Sequence, residues 1–193
     1  MSKFLAPIHY AMYDKILFLN DFVEHYIEIA KENNIELKEL ENMDVIENAP
    51  LEEIIDEENI HIWIQKRVDA VESRLAYVVS EMLNHDSELM IEVMKYAYRK
   101  GRNENFTSTA EDGFKLIISR FLDGMPCEGC LSIVETDRDY VKVVIEKDTH
   151  EKYWHYGADV ENYWEIRNKY IKGLLSSSRY YLERTGNVYE LKG

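Results

Sequence analysis

The stretch CEGCLSIVETDRDYVKVVIE, residues 127–146, decides the fold class of this 193-residue chain. Before it, apolar residues recur every three or four positions, which is the period of helices buried on one side. Within it, Val141, Val143 and Ile145 alternate with mostly polar neighbours, and the turn-like residues 137–139 precede them. A period of two next to a turn predicts a β-hairpin. The sequence therefore predicts an α+β fold, with a mostly helical bundle of about five helices and a small antiparallel β-hairpin or three-stranded sheet near the C-terminus.

The helical pattern sets the predicted boundaries of the other elements. We predict helices over residues 8–33, 50–84, 87–101, 108–123 and 159–184, and a third strand over residues 188–191. Gly173 and Ser177 lie four residues apart on the last helix, so we expect another backbone to approach closely there. No repeat, low-complexity tract or linker interrupts the chain. We therefore predict a single domain over residues 1–193, with a helical body (1–125) followed by the hairpin and a long C-terminal helix (126–193).

The charge of the chain restricts its partners. The formal net charge is −14, and residues 35–59 hold ten acidic residues against the single base Lys38. Proteins bind nucleic acid and anionic lipid largely through Lys and Arg, so we predict neither nucleic-acid nor membrane binding. The sequence shows neither a secretory signal nor about 20 consecutive apolar residues, which predicts a cytoplasmic protein. The acidic stretch also suggests an alternative role, an interaction module for a basic partner.

Two cysteines and two histidines have a spacing typical of zinc ligands. If the hairpin turn is centred on Arg138, paired residues have numbers that sum to about 276, so His150 lies beside Cys127. Cys127, Cys130, His150 and His155 then form the pattern C-x2-C, nineteen residues, H-x4-H. Two thiolates and two imidazoles suit tetrahedral zinc. The sequence therefore predicts zinc as a cofactor.

The same thiols allow other interpretations. Cys127 could act as a nucleophile with His150 as its base, which would make the protein a cysteine-dependent enzyme, a hydrolase or a thiol redox enzyme, on a small substrate. Redox chemistry needs a lowered thiol pKa, and Glu128 between the cysteines opposes this. A third interpretation is two small thiols that pack as apolar side chains at a corner of the fold.

Aromatic residues concentrate late in the chain. Ten of the 23 aromatic residues fall within the last 54 positions. Tyr and Trp combine a large apolar face with one polar atom, which suits pocket walls and subunit interfaces. Packing in a core, or at an interface of a homo-oligomer, are the alternatives to a pocket. The candidate ligand-binding residues are Tyr153, Trp154, Tyr163, Trp164, Arg167 and Tyr170.

The order of a helical body, a hairpin with cysteines, a long helix and a final strand is similar to that of small-molecule sensing domains of the vinyl-reductase and haem nitric-oxide-binding types. The haem-binding signature of these domains is not reproduced by Ser177, Ser178 and Arg179. The resemblance implies a sensing role. Our leading hypothesis is a cytoplasmic small-molecule-binding or sensing domain, with its pocket between the aromatic last helix and the hairpin and with zinc at the four candidate ligands.

Overall fold

The computed structural model describes residues 5–104, 106, 109–124 and 129–193, and it confirms the α+β fold. The helices are α1 (Pro7–Glu32), α2 (Leu51–Ile54), α3 (Ile60–His85), α4 (Met90–Arg102), α5 (Ala110–Arg120) and α6 (Glu161–Leu175). The strands are β1 (Leu131–Asp137), β2 (Tyr140–Ile145), β3 (Tyr181–Thr185) and β4 (Val188–Lys192). None of the described helices combines the length and the apolar composition that crossing a bilayer requires.

The described chain divides into two compact units. The first contains the residues up to Ser87, with residues 120–122 and 153–158. The second contains residues 88–119, 123–152 and 159–193. Helix α4 and most of α5 belong to the same unit as the sheet. A single domain over the whole chain stays a prediction.

The first unit is built on α1 and α3, which pack against each other. The predicted helix over residues 50–84 is wrong in its first part, because residues 55–59 are not helical and separate α2 from α3. The predicted apolar stripe of α3 is buried, and Ile64, Val71 and Leu75 have no exposed surface. A long helix with one such face is stabilised mainly by burial of that face. The buried Arg74 of α3 donates to the Glu24 carboxylate of α1 at 3.1 Å, so one ion pair also links the two helices.

In the second unit, α4 and α6 approach each other closely at two glycines. A Cβ atom built on Gly101 would lie 2.0 Å from the carbonyl oxygen of Tyr170, and one on Gly173 would lie 2.1 Å from that of Tyr98. The predicted close approach is therefore confirmed for Gly173. Any side chain at either position would push the helices apart, because the obstructing atoms belong to the backbone.

Helix α5 begins two residues later and ends three residues earlier than predicted, at Ala110 and Arg120. Thr109 Oγ1 accepts a hydrogen bond from the backbone N–H of Asp112 (3.1 Å) and donates one to the Asp112 carboxylate (2.7 Å). The spacing of Ser108 and Glu111 predicts a capping box that starts one residue earlier. Ser108 lies outside the described residues, and Glu111 instead pairs with Lys115 at 2.6 Å.

The sheet is antiparallel with the strand order β1-β2-β4-β3. Leu131 pairs with Ile145 and Ile133 with Val143, so the predicted register, with residue numbers that sum to 276, is confirmed up to a bulge between Ile133 and Glu135. Beyond the bulge the sum is 277, and a tight turn at residues 138–139 closes the hairpin. The alternation of side chains determines this register, because a slip by one residue would expose the apolar face.

The predicted helix over residues 159–184 is wrong at its C-terminal end, and the sheet has four strands among the described residues rather than two or three. The helix stops at Leu175, where the Ser176 hydroxyl donates to the Gly173 carbonyl (2.7 Å) and the Ser178 hydroxyl to the Leu175 carbonyl (2.9 Å). Serines that bond to the backbone in this way favour helix ends over helix interiors. Residues 181–185 then alternate between exposed and half-buried positions as β3, which a turn at Gly186 (φ +61°) joins to β4.

Candidate functional site

The candidate site of the second unit is built around α6. Four of the six predicted ligand-binding residues lie on this helix, and all four are buried: Tyr163, Trp164, Arg167 and Tyr170. Steps of three and four residues carry Tyr163, Arg167 and Tyr170 along one side of the helix. The sequence therefore identified one wall of the site, but not the residues that the wall faces.

Asp148 holds His150 against this wall. The His150 ring stacks on the Tyr163 ring at 3.6 Å between centroids and meets the Trp164 ring edge-on at 5.2 Å. The carboxylate of Asp148 accepts hydrogen bonds from the His150 backbone N–H (2.7 Å) and from the Trp164 indole N–H (2.9 Å). One carboxylate thus ties the loop after β2 to α6, and the imidazole lies inside the unit.

Arg167 forms a buried ion pair with Asp123, the residue three positions beyond the end of α5. Two guanidinium nitrogens donate to the two carboxylate oxygens, one of them at 3.1 Å. The side chains are only 4% and 11% exposed. Burial alone lowers the pKa of Arg167, and the nearby Asp123 and Tyr163 outweigh this and raise it overall. Arg167 is therefore a permanent buried cation, held in the bidentate geometry by which a guanidinium binds carboxylates and phosphates.

A small cavity lies beside this ion pair, between α5, α6 and the sheet. Most of its wall is apolar, and its polar contributors are Arg167 and Tyr189. The space open to a water-sized molecule is about 20 Å³, which is enough for a single water. The apolar lining residues are Phe114, Ile117, Val141, Val143, Ile145, Ile171, Leu182 and Leu191.

The Tyr189 hydroxyl is the second polar group of the cavity. It is buried and has no hydrogen-bond partner among the residues that the structure describes. Burial raises the pKa of Tyr189 to about 12, although Arg167 and Arg184 lower it. The hydroxyl is therefore a neutral donor and acceptor at physiological pH.

A second arginine approaches the same aromatic residues from a more exposed position. Arg184 of β3 makes two hydrogen bonds to Glu161, the first residue of α6. Its guanidinium carbon lies 5.4 Å from the centre of the Trp164 ring and 5.7 Å from that of Tyr189. The corresponding distance from Arg167 to Trp164 is 5.3 Å. Both arginines are within the range of cation–π attraction.

Three other predicted site residues, Tyr153, Trp154 and His155, lie in the first unit. Tyr153 and Trp154 are buried there, and the Tyr153 hydroxyl donates to Asp69 of α3. His155 is exposed, and its ring lies 4.3 Å from that of Tyr156. The contacts described for these three residues are therefore with other residues of the first unit.

The predicted zinc site is described only in part. Cys127 lies outside the described residues, whereas Cys130 is buried and its carbonyl accepts the backbone N–H of Glu146 at 2.9 Å. In the described part of the chain, no three His, Cys, Asp or Glu residues form a group that could hold a metal ion. Zinc binding and a Cys127–His150 catalytic pair both stay predictions. One zinc per chain by elemental analysis, lost in Cys127→Ser, would support the metal, and metal-free protein would contradict it.

Asp123, Asp148 and Tyr189 complete the site but were not among the predicted residues. Asp123 is 44 positions from Arg167, and Asp148 is 16 positions from Trp164. No local pattern marks either acid, because each becomes a partner only after α5, α6 and the sheet have packed. Tyr189 belongs to the late aromatic group, and its alternation with Leu191 was the one signal that could have placed it on the buried face of the sheet.

The chain matches no protein-family model, no curated protein and no solved structure.

Proposed function

We propose that this protein is a small-molecule-binding or sensing domain of the cytoplasm, and that its ligand binds at the cavity between α6 and the sheet. The observation that carries the proposal is the buried Arg167–Asp123 pair beside an apolar cavity that Arg167 and Tyr189 also line, together with the buried Tyr189 hydroxyl that has no partner among the described residues. Apolar walls with a few convergent polar groups are the usual composition of ligand sites.

Stability alone does not account for these polar groups. A buried ion pair is often no more stabilising than apolar side chains of the same volume. A buried hydroxyl without a hydrogen bond destabilises a protein by about 1–3 kcal/mol. Arg167 and Tyr189 line one cavity, so a polar ligand there could bind both residues. This supports recognition rather than packing as their role.

The chemistry of the pair suggests the ligand class. The planar guanidinium of Arg167 binds carboxylates through two parallel hydrogen bonds, and Asp123 occupies this position. The cavity has room for about one water. A small carboxylic acid would therefore bind by taking the place of Asp123 on Arg167, and the Asp123 carboxylate would have to turn out to solvent. The apolar part of the acid would lie against the sheet.

The first test uses the protein without Asp123. In Asp123→Ala, the side-chain carboxylate is removed, and formate has the size and charge of the missing group. We expect formate to raise the melting temperature of this variant saturably, whereas chloride at equal ionic strength does not. The matched control is Glu161→Ala, which removes the exposed carboxylate that pairs with Arg184. This variant should show no saturable response to formate. A second control, Asp123→Ala/Arg167→Met, removes the cation and should also show no response.

The second test uses the wild-type protein and a panel of small carboxylic acids in thermal unfolding. A ligand at 100 times its Kd stabilises the folded state by about 2.7 kcal/mol. We expect at least one acid to stabilise the wild type and Glu161→Gln alike, but not Arg167→Met. The proposal is contradicted if no acid stabilises the wild type and formate acts on Asp123→Ala no differently from chloride.

A further inference from the structure

Helices α4 and α6 form an open groove that is distinct from the cavity. Its volume is about 560 Å³, and it is lined by Glu92, Lys95, Tyr98, Arg99 and Lys169. An apolar recess of about 300 Å³ continues it and shares Lys95 and Lys169. The recess is lined further by Met90, Ile91 and Met94, and Ile91 is 55% exposed. We call the groove and the recess together the basic groove.

The charge of the basic groove is opposite to that of the protein. Three cations and one carboxylate line it, while the chain carries a net charge of −14. Glu92 pairs with Lys95 at 2.6 Å. Among the described residues, Arg99 and Lys169 have no ion-pair partner of their own. The groove is therefore a local site for anionic groups, with an apolar area beside it.

The first unit carries a surface with the complementary chemistry. All ten acidic residues between Ile35 and Asn59 are exposed. Lys38, the single base of the segment, forms an ion pair with Glu36 at 3.4 Å. Within residues 41–47, ENMDVIE, the apolar side chain of Val45 is 62% exposed between acidic residues. We call residues 36–58 the acidic segment. It combines carboxylates with an exposed apolar side chain, as the basic groove combines cations with an apolar recess.

We propose that the basic groove binds the acidic segment of a second copy of this chain. Every copy carries both surfaces, so the partner is always present at the concentration of the protein itself. The net charge of −14 opposes nucleic acid as the occupant, because the whole molecule repels a phosphate backbone. The contact is heterologous, since two different surfaces meet, and it builds a homo-oligomer. This inference is independent of the proposed function, because Arg167 and Tyr189 do not line the groove.

Ionic strength should affect this contact in a specific way. Two copies with a charge of −14 repel each other at long range, and at about 0.15 M salt this repulsion is screened beyond about 8 Å. Pairs in the groove are closer than this and survive. At about 1 M salt the screening length is about 3 Å, so the contact should weaken. We expect a self-association that is clear at 0.15 M and reduced at 1 M salt.

The experiment is sedimentation velocity with two complementary variants. The groove variant is Lys95→Glu/Arg99→Glu, and the segment variant is Asp44→Lys/Glu47→Lys; all four positions are exposed, so each variant should fold, which thermal unfolding will check. Each alone should be monomeric. Their equimolar mixture should form a 1:1 dimer, because the segment of the first and the groove of the second are intact. Lys31→Glu/Lys66→Glu changes the charge equally outside the groove and should associate like the wild type.

Three outcomes would overturn the inference. The first is a wild type that remains monomeric up to roughly 100 µM, a concentration at which weak specific complexes form. A monomeric wild type would overturn the inference even if the groove binds an anionic small molecule or the acidic segment binds a basic protein. The second is a wild-type oligomer that both variants leave intact, which places the interface elsewhere. The third is a pair of monomeric variants that do not associate when mixed.

Discussion

Two arginine–carboxylate pairs adjoin the same tryptophan and differ mainly in their exposure to solvent. Arg167 and Arg184 lie 5.3 Å and 5.4 Å from the centre of the Trp164 ring, and each makes two hydrogen bonds to one carboxylate. The side chains of Arg167 and Asp123 are 4% and 11% exposed, whereas those of Arg184 and Glu161 are 25% and 51% exposed.

The difference teaches that equal geometry does not imply equal energy. Water and salt screen the exposed pair, and such pairs contribute about 0–1 kcal/mol. The buried pair has lost the hydration of both ions, so removal of one partner leaves an uncompensated charge. We therefore expect removal of the carboxylate to lower the free energy of unfolding several-fold more for the Arg167 pair than for the Arg184 pair. The following predictions test this comparison, beginning with the largest effect.

Removal of the buried carboxylate should have the largest effect. We expect Asp123→Ala to lower the free energy of unfolding by about 3–5 kcal/mol, because Arg167 is then a buried cation without its partner. This is a large part of the 5–15 kcal/mol typical of a folded protein. Urea unfolding followed by circular dichroism measures the change. Glu161→Ala is the matched control, and an equal loss in both variants would contradict the comparison. If Asp123→Ala does not fold, Asp123→Asn gives the milder test.

Replacement of both buried ions should restore most of the lost stability. We expect the free energy of unfolding of Asp123→Leu/Arg167→Met to lie within about 2 kcal/mol of the wild-type value. The reason is that apolar side chains of similar volume pack without a desolvation penalty. The same urea titration measures it. A double variant as unstable as Asp123→Ala would show that packing, rather than the unpaired charge, causes the loss. The double variant should not bind small carboxylic acids, because it lacks the Arg167 guanidinium.

Tyr189, which lies near both arginines, should make stability depend on alkaline pH. An unfolded tyrosine has a pKa of about 10, and burial raises that of folded Tyr189 to about 12. Between these values only the unfolded state releases the proton, so the free energy of unfolding falls as pH rises from 10 to 12, by less than about 1.4 kcal/mol per pH unit. Below pH 10 this contribution is fully present.

The measurement is the difference between the wild type and Tyr189→Phe. Other tyrosines also titrate in this range, and the difference removes their contribution. We expect the variant to lose stability less steeply between pH 10 and 12. Identical slopes in the two proteins would mean that the Tyr189 hydroxyl ionises as easily in the folded state as in the unfolded state.

The smallest effect should come from the exposed pair. We expect Glu161→Gln to change the free energy of unfolding by about 0–1 kcal/mol at low salt, and by less at about 1 M salt, because screening removes the attraction. Thermal unfolding at the two salt concentrations measures it. A loss above about 2 kcal/mol would show that Arg184 depends on Glu161 as strongly as Arg167 depends on Asp123.

Much of the fold was predictable from the sequence, and the reason is local. The alternation of Val141, Val143 and Ile145 predicted the strand and its buried face, because strand geometry places alternate residues on one side. The turn-like residues around Arg138 predicted the register. The apolar stripe of α3 predicted its buried face in the same way. The last helix was predicted too long, because the tyrosines and leucines of residues 174–182 also fit a helical period. There the serines 176–178, which favour a helix end, determined the structure.

The site was predictable in its helical part only. A search for late aromatic residues with an arginine found Tyr163, Trp164, Arg167 and Tyr170, because all four belong to one helix. The same search added Tyr153 and Trp154, which lie in the first unit. The search assumed that residues close in the sequence are also close in space. This assumption fails where the chain passes from one compact unit to another.

The sequence by itself determined that Arg167 would be on a helix beside large aromatic residues, because side-chain periodicity is a local property. Which of the 37 acidic residues would neutralise it was decided only by the tertiary structure. Asp123 and Glu161 have the same charge and meet arginines in the same geometry, and no sequence pattern distinguishes a buried pair from an exposed one. The packing of α5 and α6 on the sheet removes water from Asp123 and leaves it around Glu161, and the energy of a charge depends on that water.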